Sequence, residues 1–250
     1  MNAADASAPG TAQGPMNDSL WRGFARSVRA NAVGELVLQG VRLGGMIVLA
    51  RGLTPADFGV FRVLMIVWSF GVVPIECGLP DALIQRQDLR PRHEATAWFL
   101  SVAAAAATAM VLYFAAPVIA RAMAIPGTST YIRWLCIPFV VEGTAMVSSA
   151  RLRRELRFGA VAAAEVASEV AFLAVAIGVL FTPYAHSSLP AGLAARITAY
   201  SLALWIADHR FVATMPTLAS ARELGRFSVT VWGAALIHNA SSNADFILVG

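Results

Sequence analysis

The sequence predicts an all-α, polytopic bundle of transmembrane helices, with about six complete spans, a truncated seventh and a cytoplasmic N-terminus. Three observations carry that prediction. Hydrophobic residues make up 58% of the chain and charged residues only 14%, against about a quarter charged in an ordinary soluble domain. The apolar residues fall into blocks of roughly 18–22, enough for a helix to cross about 30 Å of hydrocarbon. The arginines gather in the short stretches between blocks, and mostly in alternate ones.

Residues 1–19 are rich in Ala, Ser, Gly, Pro and Asn. They have no basic start leading into an apolar run, so they read as a disordered tail rather than a signal peptide. From Trp21 to Val33, the residues Trp21, Phe24, Ala25, Val28 and Ala32 share one helical face and Arg22, Arg26 and Arg29 another. That fits either a helix lying in the membrane interface or a basic flank of the first span. The first span runs from Val33 to Ala50, holds Glu35, Gln39 and Arg42, and ends in the turn-rich loop Arg51 to Gly59. The second runs from Val60 to Leu79 with a break near Pro74, followed by a basic loop from Gln85 to His93. The third runs from Ala95 to Ala116, where Pro117 is expected to stop it. The fourth, Tyr131 to Ala150, contains Pro138, and the most basic loop, Arg151 to Arg157, follows it. The fifth covers Ala160 to Phe181. The sixth, Leu189 to Ala207, is interrupted by Arg196. A polar loop from Asp208 to Arg226 leads to a seventh span that starts near Val229 and is cut at Gly250.

With the N-terminus in the cytoplasm, thirteen of the nineteen arginines fall on the cytoplasmic side: Arg22, Arg26, Arg29, Arg86, Arg90, Arg92, Arg151, Arg153, Arg154, Arg157, Arg210, Arg222 and Arg226. The outer side keeps three, Arg51, Arg121 and Arg133. This is the positive-inside asymmetry, and missing one span would scramble it. Arg22-x-x-x-Arg26 and Arg222-x-x-x-Arg226 each precede an apolar span with polar residues, a faint echo of a duplication after six helices.

The formal charge of +4 comes from arginine alone, since the chain has no lysine. No basic, aromatic surface segment lies outside the apolar blocks, so nucleic acid is not an expected partner. Cys77 and Cys136 are isolated and read as small buried apolar residues. Four scattered histidines, no metal-ligand spacing, no phosphate-cradling glycine loop and no nucleophile turn give no sign of an enzyme, a cofactor or a metal.

Four segments carry a family resemblance. Arg51-Gly-Leu-Thr-Pro-Ala-Asp-Phe-Gly59 resembles the R-x-L-x-P-x-D-F-G loop of polysaccharide-type flippases, and Gly78-Leu-Pro-Asp-Ala-Leu-Ile-Gln85 their G-L-x-x-A-L-I-Q segment. Leu152-Arg-Arg-Glu-Leu-Arg-Phe158 resembles their L-x-R-x-L-x-F loop, and Asn239 to Gly250 their N-x-D-x-I-L-V-G element. In this order and spacing, the four are similar to the oligosaccharide-flippase branch of the multidrug/oligosaccharidyl-lipid/polysaccharide exporter superfamily. The resemblance implies twelve to fourteen helices in two lobes around a cavity. It implies alternating-access export of undecaprenyl-diphosphate-linked sugars across a bacterial inner membrane for O-antigen, capsule or exopolysaccharide assembly. Lipid-linked oligosaccharide, membrane lipids and polysaccharide polymerase machinery are the partners it implies. On this reading residues 20–207 are an N-terminal six-helix transporter lobe, and 208–250 a cytoplasmic loop and the start of a second lobe. The stretch Pro183 to Ala191 departs from the pattern by lacking a Gly-Trp character, and the length departs from it by stopping inside the seventh helix.

A charge at the bilayer centre costs about 2.5–3.5 kcal/mol on insertion scales, so ionisable residues inside spans are candidates for function. Glu35, Gln39 and Arg42 fall on one helical stripe. Either they wall a substrate cavity, with Arg42 gripping diphosphate or acidic sugar, or Glu35 and Arg42 neutralise one another. Arg62 either meets substrate or snorkels to the interface. Glu165 and Glu169, at i and i+4, either repel and serve ion coupling or pair with the Arg151 to Arg157 loop. Glu142 and Glu76 are weaker candidates. Asn239, Asn243 and Asp245, with His238, give the seventh span a polar stripe that lines the lobe interface or glues helices. Substrate binding is thus assigned to Arg42, Gln39, Glu35, Arg62, Asn239 and Asn243, and ion coupling to Glu165, Glu169 and Asp245. The alternatives are a multidrug or cation exporter of the same superfamily, a membrane-embedded glycan polymerase or ligase, and a truncated product that does not transport.

Overall fold

The computed structural model describes residues 38–76, 78–85, 89–125, 127–210 and 215. The chain divides into two compact units, Met1–Gly44 and Gly45–Gly250. In the first unit only residues 38–44 are described, and they are helical. The tail over 1–19, the stretch Trp21 to Val33, the start of the first span and the whole seventh span lie outside the described residues.

In the second unit every described regular element is helical. Residues 45–52 form α1. Then come α2 (Pro55–Glu76), α3 (Leu79–Gln85), α4 (Pro91–Ala122), α5 (Thr128–Arg154), α6 (Phe158–Leu180), a 3-10 turn (Ala185–Ser187) and α7 (Ser188–Asp208). Five stretches are long and apolar enough to cross a membrane: α2, α4, α5, α6 and the run Ala185–Asp208. The shortest of them, at about 1.5 Å per residue, still spans roughly 30 Å. Phe114, Ile137 and Ile206 are 72%, 74% and 68% exposed. Large apolar side chains left bare on the outside of a helical bundle are the surface that lipid covers.

The helices are longer than the apolar blocks suggested. The expected stop at Pro117 does not occur, and α4 continues to Ala122. Proline removes the N–H that would bond the carbonyl four residues back, here that of Tyr113. Arg133 of α5 donates to that carbonyl through Nε at 3.5 Å, and its guanidinium lies 4.9 Å over the Tyr113 ring. A neighbouring helix thereby takes up the freed acceptor, as membrane helices allow. The basic loop Arg151 to Arg157 is also shorter than expected, because Arg151, Arg153 and Arg154 form the last turn of α5. Cations there complement the negative end of the helix dipole. The second span ends at Glu76, and the segment after it is a separate helix, α3. Gly78, with φ of 65°, supplies the left-handed residue at the turn into α3.

Small residues set the close crossings. A Cβ on Gly143 of α5 would come within 2.5 Å of the Ala105 Cβ on α4, and one on Gly71 of α2 within 2.5 Å of the Phe139 ring. Gly45 of α1 is likewise pressed against Leu173 of α6. The central core is apolar: Val60, Val63, Leu64 and Val67 of α2 pack with Ile132, Leu135 and Phe139 of α5 and Leu193 and Ile197 of α7.

Candidate functional site

Two cavities flank that core, one towards each end of the bundle. The inner one, at the arginine-rich end, is about 210 Å³ and is bounded by Glu76, Glu142, Ser149, Arg153, Tyr200 and Ser201 among others. The helical repeat builds it. Glu142, Met146, Ser149 and Arg153 recur at steps of four, three and four along α5, which keeps them on one face. Trp68 of α2 donates its indole N–H to Glu142 Oε2 at 3.2 Å. A carboxylate among apolar helices needs such a donor, because an unsatisfied polar group there costs several kcal/mol. The volume is that of about seven waters.

Beside this cavity the same end is tied by ions. Arg151 is buried and bridges Glu94 of α4 at 2.6 Å and Asp208 of α7 at 2.9 Å. It also donates to the Arg210 carbonyl at 3.1 Å. Arg210 in turn holds Glu155 at 2.7 Å and Asp208 at 2.9 Å. The hydrogen bond it donates to Glu155, more than the one it donates to Asp208, pushes the Arg210 guanidinium above its ordinary range despite some burial. Arg154 donates to the Leu83 carbonyl at 2.7 Å and Arg157 to that of Ala207 at 3.1 Å. These two arginines therefore cap the C-termini of α3 and α7.

The outer cavity is about 930 Å³. Asp57 of α2, Thr130, Tyr131 and Trp134 of α5, and Tyr184 and His186 of the α6–α7 connection lie on its wall. Asp57 Oδ2 accepts from the Thr54 amide at 2.8 Å and the Thr54 hydroxyl at 2.7 Å, closing a capping box at the start of α2.

The residues expected from the sequence distribute as follows. Arg42 donates to Gln39 at 3.1 Å, so those two share a stripe as expected. Glu35 lies outside the described residues, as do His238, Asn239, Asn243 and Asp245. Arg62 is exposed on α2 and lines neither cavity. Glu165 is exposed and Glu169 buried, so the two do not face the same surroundings. Glu169 pairs with Arg196 of α7 at 3.9 Å rather than with the Arg151 to Arg157 arginines. Glu142 and Glu76 prove to share the inner cavity. Sequence reasoning passed over Trp68, the Glu94–Arg151–Asp208 network and the aromatic wall of the outer cavity. Glu94 and Asp208 sit at the ends of apolar blocks next to the basic clusters, which was their one visible signal. Among the described residues no three His, Cys, Asp or Glu side chains meet as a metal-ligand set.

Residues 48–250 match the sequence model of a family described as polysaccharide biosynthesis protein. The chain belongs to that family. The match agrees with the resemblance of the four segments to polysaccharide flippases. A polysaccharide biosynthesis protein with five membrane-length helices is a multi-pass protein of the inner membrane. The chain is also similar to the lipopolysaccharide biosynthesis protein WzxC of Escherichia coli (strain K12), at 22% identity over 160 residues, 64% of this chain. That stretch is 32% of the relative's own length, so the chain spans about a third of it. No solved structure gives a significant match.

Proposed function

We propose that this chain is the N-terminal part of a flippase that exports polyprenyl-diphosphate-linked oligosaccharide across the inner membrane for cell-surface polysaccharide assembly. The family match across a bundle of membrane-length helices carries this reading. On this reading a headgroup is moved without a bond being made or broken. Residues 20–207 would form the first lobe and 208–250 the start of a second, with residues 1–19 a tail. Arg42, Gln39, Glu35, Arg62, Asn239 and Asn243 are the proposed substrate-binding residues, with the arginines offsetting diphosphate charge. Glu169, buried beside Arg196, is better situated for ion coupling than exposed Glu165, and Asp245 is the third candidate. The polymerase machinery that extends the glycan is the expected neighbour. The test is flipping of a fluorescent polyprenyl-diphosphate glycan by the full-length protein in vesicles. Arg42→Ala and Arg62→Ala are expected to slow it, and full activity in both would refute the arginine assignment.

A second reading, export of small cations, is favoured by one observation: Glu76 and Glu142 give the inner cavity an acidic wall. Uptake of cationic dyes by inverted vesicles, abolished by Glu142→Gln, would support it over glycan flipping.

A further inference from the structure

We propose that the outer cavity is a carbohydrate subsite, which takes a pyranose ring of the glycan headgroup whose substituents are equatorial. The proposal rests on the glycan-flipping reading and adds to it a location and a ring type.

Size comes first. Ligand pockets run to about 300–1,000 Å³, and the outer cavity, at about 930 Å³, lies within that range while the inner one, at about 210 Å³, does not. Chemistry comes second. Tyr131, Trp134 and Tyr184 share the wall. The Tyr131 and Trp134 rings meet edge to face, 5.2 Å apart at 86°, each bracing the other. Trp134 is 45% and Tyr184 67% exposed, which leaves aromatic surface uncovered. An equatorially substituted pyranose presents axial C–H bonds on both faces. Those faces are apolar and slightly positive, the complement of the negative face of an aromatic ring. Its hydroxyl rim needs donors and acceptors, and His186 and Thr130 bring them to the same hollow. The described wall holds Asp57 and no arginine, so it suits the neutral sugar and not the diphosphate.

Rings near a membrane surface also serve as an interfacial belt. A belt sets its rings outward into lipid. Here rings from α5 and from the α6–α7 connection turn onto one cavity.

The experiment uses the full-length chain in nanodiscs with two soluble probes, cellobiose and N,N′-diacetylchitobiose, read by saturation-transfer NMR. At least one probe is expected to receive saturation from the wild type. Trp134→Ala and Tyr184→Ala are expected to weaken it by about two- to tenfold, the size of a lost ring contact. Trp134→Phe and Tyr184→Phe keep a ring face and should retain most of the binding, and Trp205→Phe, at the other end of the bundle, all of it. Silence of both probes with the wild type, or binding by Trp134→Ala and Tyr184→Ala equal to the wild type, overturns the subsite and leaves an interfacial belt. An equal loss in the Phe and Ala variants also overturns it, because ring stacking is then not the contact. Flipping of the lipid-linked glycan is measured in parallel. If the wild type binds sugar but does not flip, the flippase reading falls and the subsite stands.

Discussion

Arg151 is buried with two carboxylates upon it, and removing one partner from such a cluster is costlier than the cluster's net worth. The Asp208 side chain is 1% exposed and Glu94 19%. Arg151→Ala takes this partner from Glu94 and leaves Asp208 with Arg210 alone, and a loss of about 3 kcal/mol is expected. Thermal unfolding in detergent, followed by tryptophan fluorescence, checks this. Adding Glu94→Gln and Asp208→Asn to that variant should recover part of the loss, since the carboxylate charges go with them. Glu142→Gln tests a different residue. The amide oxygen still accepts from Trp68, so the melting temperature should barely move. Any large change in transport would then belong to the lost charge. The sequence marked Glu142, Glu76 and Arg196 as ionisable residues in apolar blocks. It did not reveal Trp68 or Glu169 as their partners, because helical periodicity gives a face and not what that face meets.

At the scale of elements, the ends of helices were the least legible part. Apolar blocks end where lipid ends, but helices run on until something stops them. Pro117 does not stop α4, because the carbonyl it frees finds Arg133. What stops α5 is backbone geometry at Leu156, with φ of 57°. The Leu156 amide bonds the Arg153 carbonyl at 3.1 Å and the Arg157 amide that of Leu152 at 2.9 Å, the pattern of a Schellman cap. Glycine usually holds that position, and a branched side chain there is strained. Leu156 is 74% exposed, so little packing is lost if it goes. Leu156→Gly is therefore expected to raise stability by about 0.5–1 kcal/mol, read as a higher melting temperature. Gly143 gives the opposite expectation. Gly143→Leu must drive a side chain into Ala105 and α4, and a loss of about 1–3 kcal/mol or failure to accumulate in the membrane should follow. Quantifying the variant in purified membranes and melting what is recovered decides it.

For the whole molecule, the helical class and the order of the described spans could be read from block length and arginine bias, because both follow from the bilayer rather than from side-chain detail. Orientation is open to direct test. Single cysteines in place of Tyr184 and Arg157, in a chain otherwise without cysteine, are expected to react from opposite sides with a membrane-impermeant maleimide. Tyr184→Cys should label in intact cells and Arg157→Cys only after lysis; the reverse pattern would invert the topology. The cavities could not be read in advance, since each draws on helices far apart in sequence.

The apolar packing between the two cavities has an electrical consequence. Val60 borders the outer cavity and Val72 the inner one, and twelve residues of α2 separate them by roughly 18 Å. Within that length Val63, Leu64 and Val67 meet Leu135, Phe139 and Ile197. This stretch of the described bundle is an insulator. Each unit charge leaking down a 100 mV potential would dissipate about 2.3 kcal/mol. Among the described residues, that apolar packing sets a barrier against a charge passing from one cavity to the other.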